Sequence, residues 1–232
     1  MSCEDIEPDM IPLALIPAKG YSERLSRKNL RLLAGKPLLA WAIEGAIASG
    51  VFREVWVSSE DDEVLDLTRA WGAEPLRRPS VLALPAATVA HVIQHARQSL
   101  EHHGPVYVLT PTSPFRSAMS IARAWARFVH LQGAGALVSL RPADPPEWTL
   151  RYEPISGNVG ALNPSMVDLP RGMLMKAWRH DGSHFILGGT ERRGGPIGFE
   201  ADPIEAVDIN KQADLDYAEF LLATGRVPWV AA

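Results

Sequence analysis

The chain is expected to fold as an α/β protein around a mainly parallel sheet, and three observations carry that expectation. Short apolar runs bounded by Gly and Pro alternate with longer stretches whose apolar residues recur at helical spacing. The order strand, helix, strand, helix is the rhythm of βαβ units with right-handed crossovers. A length of 232 residues is enough to bury one large core.

Taken in order, "IPLALIPA" is a short buried strand ending at a Gly-containing loop. "KPLLAWAIEGAIASG" is a helix, with Leu38, Leu39, Ala42, Ile43, Ala46 and Ile47 on one face and Gly50 as its stop. "EVWVSS" is the second strand, and "DDEVLDLTRAWG" a helix whose acidic first turn suits the helix dipole. "EPLRR" is a third strand, "AATVAHVIQHARQSLEHHG" a helix, and "PVYVLTPTSP" a strand with its following loop. "SAMSIARAWARFVHLQG" and "GALVSLRPA" add a further helix and strand. From 144 to 198 the rhythm fails and Pro, Gly and aromatic residues become frequent, which predicts a small inserted lobe or substrate-covering segment within a single domain over 1–232. "IEAVDIN" is expected as a last strand and "KQADLDYAEFLLATG" as a closing amphipathic helix.

A net charge of −4 gives no general footprint for nucleic acid or an anionic membrane. The single cysteine, Cys3, excludes an internal disulfide and a cysteine-based zinc site. No apolar run approaches the ~18 residues that span a bilayer. The acidic start "MSCEDIEPDM" lacks the features of a secretion signal, so a cytoplasmic location is expected.

In open α/β sheets ligands sit beyond the carboxyl ends of the strands, and three stretches leave such ends: "AKGYSERLSRKNL", "TPTSPFR" and "VDIN". In the first, Gly20 permits close backbone approach, Ser22 offers a hydroxyl, and Lys19, Arg24, Arg27 and Lys28 neutralise clustered negative charge. Phosphate binding is the economical reading, with a solvated basic loop as the alternative that composition leaves open. The spacing fits neither the P-loop nor the dinucleotide fingerprint.

The stretch "IPAKGYSERLSRKNLRLLAGKPLLAWAI" resembles the N-terminal signature of the sugar cytidylyltransferases that activate sialic acids and related nine-carbon sugars. The matching positions are Ile16, Pro17, Ala18, Gly20, Ser22, Arg24, Lys28, Asn29, Gly35, Lys36, Pro37 and Leu38. The likeness continues through "VWVSSEDDEV", "WGAEPLRRPSVLA", "VLTPTSPFRS" and "AVDINKQADLDYAE". It implies a three-layer α/β/α nucleotide-diphospho-sugar transferase-like fold, usually a homodimer. The implied reaction is CTP plus a 2-keto sugar acid giving the CMP-sugar and pyrophosphate, with Mg2+.

By the same resemblance, Lys19, Ser22, Arg24 and Lys28 would hold the triphosphate, and Ala18 and Gly20 would bind the nucleotide beside them. Asn29 and Arg78 would lie near the base and ribose, and Thr88 would supply a hydroxyl contact. "TPTSPFR" departs from the family loop in having Thr110 for Gln, a sugar-contacting position, while Ser113 and Arg116 serve the ligand or shape the turn. The family's paired aspartates read here as Asp208, Ile209, Asn210; residues i and i+2 of a strand face one way, so both would meet one ion. Asn210 removes a negative charge, implying a weaker or differently organised Mg2+ site, and it also suits a helix N-cap.

On the sugar side, "PRGMLMKAWRHDGSHFILGG" resembles the family stretch in which an Arg pair precedes a turn. Arg171 and Arg179 would fork onto a carboxylate, with Asp181 and Phe185 beside them. "HDGSHF" is similar to the pseudaminic acid branch, so a modified nonulosonic acid stands beside ordinary sialic acid. His180 and His184 are the two histidines near this region, each with a structural role as the alternative; Trp148 and Trp178 are candidates to line a sugar pocket. Tyr21 for Gly and Glu23 for Lys are further departures, and Glu23 is expected to point away from phosphate or to pair with Arg24 or Arg27. The sum of such changes keeps open a relative that binds but turns over weakly, and the likeness also admits another sugar acid such as an octulosonate.

Overall fold

The protein is described by a computed structural model over residues 11–131, 135–143, 150–152, 159–161, 177–189 and 195–229. The elements are β1 (Leu13–Pro17), β2 (Leu32–Leu33), β3 (Lys36–Pro37), α1 (Leu38–Ala48), β4 (Val55–Ser59), α2 (Asp62–Ala70), β5 (Glu74–Arg77) and α3 (Val89–Ser99). There follow β6 (Val106–Val108), α4 (Ala118–His130), β7 (Ala136–Ala143), β8 (Leu150–Tyr152), β9 (Val159–Ala161), β10 (Ala177–Leu187), β11 (Pro196–Glu200) and α5 (Gln212–Ala223).

A mainly parallel seven-stranded sheet runs in the order β11-β7-β10-β6-β1-β4-β5. β1 is parallel to β4 and β6, β4 is parallel to β5, and β10 is antiparallel to β6 with Phe185 opposite Val108. Alternation along the strands sorts the core into two layers. Ala14, Ile16, Val55, Val57, Tyr107 and Leu109 pack against α1, α2 and α4 through residues such as Ile43, Val64 and Phe128. Leu13, Leu15, Val106 and Val108 turn the other way, onto Val92, Ile93 and Ala96 of α3. Helices on both faces of a sheet make the expected three layers.

The helices begin where their chemistry allows. Asp61 caps α2 by accepting from the Val64 N–H at 3.1 Å, and Asp62 and Glu63 follow in the first turn. Ser117 caps α4 by accepting from the Ser120 N–H at 3.0 Å. A short hairpin, β2–β3, was not legible in the sequence; Ala34 and Gly35, with φ of 48° and 76°, make its turn. It lies in a third apolar cluster in which Leu33, Leu38 and Trp41 meet Ile209, Leu215 and Ala218.

Two expectations are corrected. "IEAVDIN" is not a strand: Ile204–Ala206 form a turn, and 207–210 run on without regular structure. Asp202 sets this turn, its carboxylate accepting from the Ile204 N–H at 2.8 Å and its carbonyl from the Glu205 N–H at 2.9 Å. Asn210 is not the cap of α5 either; that position is Lys211, and Asp214 Oδ2 accepts from the N–H groups of both Asn210 (2.8 Å) and Lys211 (3.0 Å). The chain divides into two compact units, Met1–Ser139 with Asp181–Ala232, and Leu140–His180. The second was expected over 144–198, whereas β11 and most of β10 belong to the large unit. Within the second unit β8 and β9 pair antiparallel. No helix among the described residues is long and apolar enough to cross a membrane.

Candidate active site

At the carboxyl ends of β1, β5 and β6 lies a cleft of about 270 Å3, lined by Lys19, Lys28, Asn29, Arg78, Thr88 and Thr110, with Leu84, Pro85 and Ala87 as an apolar wall. These polar residues come from four separate strand-end and helix-start segments, and the sheet order brings them together. The arrangement is that of a site at the switch between neighbouring strands.

The loop after β1 is built from below by acidic residues. The buried Ala18 donates its N–H to Ser58 O at 3.0 Å, continuing the β1–β4 ladder. Gly20 donates its N–H to Glu60 Oε1 at 2.8 Å. Its glycine identity is enforced by Asp61, since a Cβ on Gly20 would fall 2.2 Å from Asp61 Oδ2. The close approach that Gly20 permits is therefore to the protein's own carboxylate. Arg27 adopts a left-handed backbone (φ 53°, ψ 35°) and ties itself to Asp61 at 2.9 Å and to Glu63. Arg27 is thus a structural cation that pairs with α2 and not with Glu23, which is exposed. Asn29, 6% exposed, donates from Nδ2 to Lys19 O at 2.8 Å and closes the loop from inside. Ser22 is half-buried, and Tyr21 projects into solvent at 69% exposure. Gly20→Ala is expected to displace this loop while leaving the sheet intact, checked by faster amide hydrogen exchange across 18–29 beside unchanged far-UV circular dichroism; the added Cβ would meet the side chain of the α2 cap, Asp61, so the loop must move.

Facing this loop is the 208–210 stretch. Asn210 Oδ1 accepts from Arg24 Nη2 at 3.0 Å and from Lys28 Nζ at 3.1 Å, while its Nδ2 donates to Asp208 Oδ2 at 2.5 Å. The neutral amide therefore mediates between two cations and one carboxylate. Lys28 is held below the ordinary lysine pKa first by burial, with Arg24 and Lys19 adding to the effect and Asp208 and Asp214 opposing it. A partly desolvated cation of this kind is a strong partner for a phosphate. Among the described residues no three His, Cys, Asp or Glu side chains are grouped to hold a metal ion. Asp208 is exposed and fits as one carboxylate ligand; a divalent cation there would take the rest of its shell from phosphate oxygens and water. The Asn210 oxygen is already taken by Arg24 and Lys28.

Two anchors set where Asp208 stands. Ile209 donates its N–H to Thr112 O at 2.8 Å, joining this stretch to the loop after β6. Glu205, 2% exposed, accepts from the N–H and hydroxyl of Ser117 at 3.0 and 2.7 Å, at the start of α4. Burial pushes the Glu205 carboxyl up, but hydrogen bonds from His184, Ser120 and Ser117 outweigh it and hold the pKa below the usual range. His184 is itself buried, with Tyr107 at 2.5 Å and Ser120 at 3.0 Å from its two ring nitrogens, and burial lowers its pKa. It is a structural histidine. The loop after β6 is pinned by Arg116, which donates to Thr110 O at 2.6 Å and Ser183 O at 3.0 Å; burial brings its pKa down to about 10. Ser113, 1% exposed, lies 3.4 Å from the Thr110 hydroxyl, so of these residues Thr110 alone lines the cleft.

Of the residues expected on the sugar side, Arg171 and Trp148 lie outside the described residues. Arg179, His180 and Trp178 are exposed on the part of β10 that belongs to the second unit. Asp181 is buried in the large unit, where its Oδ1 accepts from Ser139 Oγ (2.5 Å), Ser183 N (2.9 Å) and Ser183 Oγ (2.7 Å). Phe185 packs against the Leu13–Val106 cluster on the α3 face. Arg78 lines the cleft, but its fork is also engaged below: Nε and Nη2 donate to Glu60 Oε2 at 3.1 and 2.9 Å. Thr88 donates its N–H to His91 Nδ1 at 3.2 Å and opens α3. The sequence drew no attention to Glu60, Asp61, Glu205 or Asp214. Only the cap position of Asp61 before an acidic first turn was a readable signal.

The family model for cytidylyltransferases matches residues 13–134. The N-acylneuraminate cytidylyltransferase of Escherichia coli O18:K1:H7 is 33% identical over 139 residues, covering 60% of this chain and 33% of the relative. The pseudaminic acid cytidylyltransferase of Campylobacter jejuni subsp. jejuni serotype O:2 is 34% identical over 125 residues, covering 52% and 54%. The chain thus matches these curated relatives over 33% and 54% of their lengths. Among solved structures, CMP:2-keto-3-deoxy-manno-octonic acid synthetase complexed with CTP superposes with a TM-score of 0.67 at 15% identity, over 92% of this chain and 98% of that one. At that identity the likeness shows the fold.

Proposed function

The chain belongs to the cytidylyltransferase family, and from that premise we propose that it transfers a cytidylyl group from CTP to a sialic-acid-like nonulosonic acid, releasing pyrophosphate. The observation that carries this reading is the convergence of Lys19, Arg24 and Asp208 around Lys28, with Lys19 and Lys28 lining the strand-end cleft. Three cations beside one exposed carboxylate suit a triphosphate whose charge is spread over many oxygens. In the reaction, the anomeric hydroxyl of the sugar attacks the α-phosphorus. The new O–P bond forms as the bond to the β-phosphate breaks, pyrophosphate leaves with the bonding electrons, and the hydroxyl proton is released. Such chemistry is mainly positioning and charge neutralisation.

In this reading Lys19, Arg24 and Lys28 bind and orient the phosphates, Asn29 and Glu60 hold the loop in shape, and Thr110 faces the acceptor. Mg2+ supplies further charge neutralisation when bound, held by Asp208 with phosphate and water. The same premise extends to assembly as a homodimer and to a cytoplasmic role supplying CMP-sugar for surface glycan or lipopolysaccharide synthesis. Pyrophosphate release from CTP with N-acylneuraminic, pseudaminic and octulosonic acids tests the substrate class: release with a nonulosonic acid supports it, and release with the octulosonate alone overturns it.

A pH dependence follows from Lys28. The protonated ammonium binds phosphate, so affinity is present below its lowered pKa and is lost as pH rises through it, earlier than the ordinary 10.5. Lys28→Arg, which stays charged, is expected to flatten this alkaline loss in a calorimetric CTP titration; an unchanged profile contradicts the assignment.

A further inference from the structure

We infer that Glu60 is a positioning residue for the nucleotide, the carboxylate that locks the phosphate-binding loop to Arg78 across the cleft. The inference rests on the cytidylyl-transfer reading of the site, because it gives the cleft its anionic ligand. Glu60 opens the turn between β4 and α2, and both of its oxygens are used. Oε1 takes the Gly20 N–H at 2.8 Å, within the loop that carries Lys19, Arg24 and Lys28. Oε2 takes Nε and Nη2 of Arg78 at 3.1 and 2.9 Å. The side chains of Arg78 and Glu60 are 3% and 16% exposed, so the pair is largely withdrawn from water. Lys19, Lys28 and Arg78 line one cleft, and the carboxylate connects its two walls from beneath.

The chemistry of the group makes the role specific. A carboxylate accepts on both oxygens, whereas an amide presents one acceptor and one donor. Glu60→Gln therefore keeps shape and size but must set an N–H2 against either the Gly20 N–H or the Arg78 fork, and one link breaks. Glu60→Asp keeps the charge but is one methylene too short to reach both partners. Arg78 has five donors, of which two serve Glu60, so the pair fixes the plane of the guanidinium at the cleft.

Charge and position pull in opposite directions, which separates the two explanations. A negative charge under an anion-binding loop disfavours a triphosphate, so if Glu60 acted by charge alone its removal would tighten CTP binding. If it acts by position, removal weakens binding even though the loop becomes more cationic. The experiment is CTP binding by calorimetry for the full chain, Glu60→Gln and Glu60→Asp, together with amide hydrogen exchange at Gly20. The expected result is at least a tenfold loss of CTP affinity in both variants, with faster exchange at Gly20. Equal or tighter CTP binding in the variants, or unchanged Gly20 exchange, overturns the inference. Glu60→Asp retains the negative charge beside Arg78 and serves where Glu60→Gln does not fold. If the unmodified chain binds no CTP, the cytidylyl-transfer reading fails instead, and Gly20 exchange still decides whether the lock exists.

Discussion

Lys28→Ala is expected to lower kcat/KM for cytidylyl transfer by roughly 10²- to 10³-fold, the cost of removing one preorganised charge from a developing phosphoryl transition state. Lys28 is singled out because several features meet on it. It lines the cleft, it is partly desolvated, and its ammonium is held 3.1 Å from the Asn210 carbonyl oxygen beside Arg24. Low local dielectric strengthens its attraction for phosphate relative to an exposed lysine. Its loss costs the fold little, because its hydrogen bond is to the neutral Asn210 amide and, among the described residues, no carboxylate is hydrogen-bonded to it and left unpaired. The melting temperature of the variant should stay within a few degrees of the parent, and activity with Lys28→Arg should recover in part. A Lys28→Ala enzyme with undiminished turnover would show that the triphosphate lies elsewhere.

Asp208→Ala carries the second large effect, with a sign that separates binding from turnover. Asp208 is exposed, accepts from Asn210 Nδ2, and lowers the positive potential around Lys28. Without it the cleft is more cationic, so CTP should bind at least as tightly in the presence of a chelator. On the proposed metal role turnover should fall by about 10²- to 10⁴-fold, because Asp208 would be a ligand for the divalent cation and such a cation is worth several kcal/mol of charge stabilisation. Calorimetry in chelator and a Mg2+ titration of activity read the two effects separately. Asn210→Asp is the reciprocal change: it adds a carboxylate beside Asp208, so the chelated protein should melt lower and Mg2+ should raise its melting temperature more than it does for the parent. A loss of CTP binding in Asp208→Ala with no change in the Mg2+ requirement would contradict the metal role.

The sheet and its helices were legible because their signals are local. Ala14 and Ile16 alternate with Leu13 and Leu15, and the caps Asp61 and Ser117 directly precede their helices. "IEAVDIN" misled because Ile204, Val207 and Ile209 look like a strand's apolar set, while the turn made by Asp202 and the burial of Glu205 against Ser117 depend on tertiary contacts. The basic loop was legible as a cluster of cations following the first strand, but the partners of the individual cations were not. Arg27 looks equivalent to Arg24 in sequence, yet it belongs to Asp61 and Glu63, whereas Arg24 turns to Asn210. Glu60 reaches Gly20 across 40 positions and Arg78 across 18, distances at which no sequence pattern assigns a partner. Breaking such a buried pair on one side costs about 3–5 kcal/mol, so the loop's shape is strongly held by residues that the motif does not contain.

Conversion of CTP and a nonulosonic acid to a CMP-sugar at this cleft is read directly by phosphorus NMR of the protein with CTP, Mg2+ and each acid. The expected result is the disappearance of the triphosphate resonances with matched growth of one phosphodiester signal and pyrophosphate, and growth slowed by roughly 10²-fold or more in Lys28→Ala. Triphosphate resonances that broaden on binding but never give pyrophosphate with any acid would contradict it and identify a nucleotide-binding relative without transfer activity.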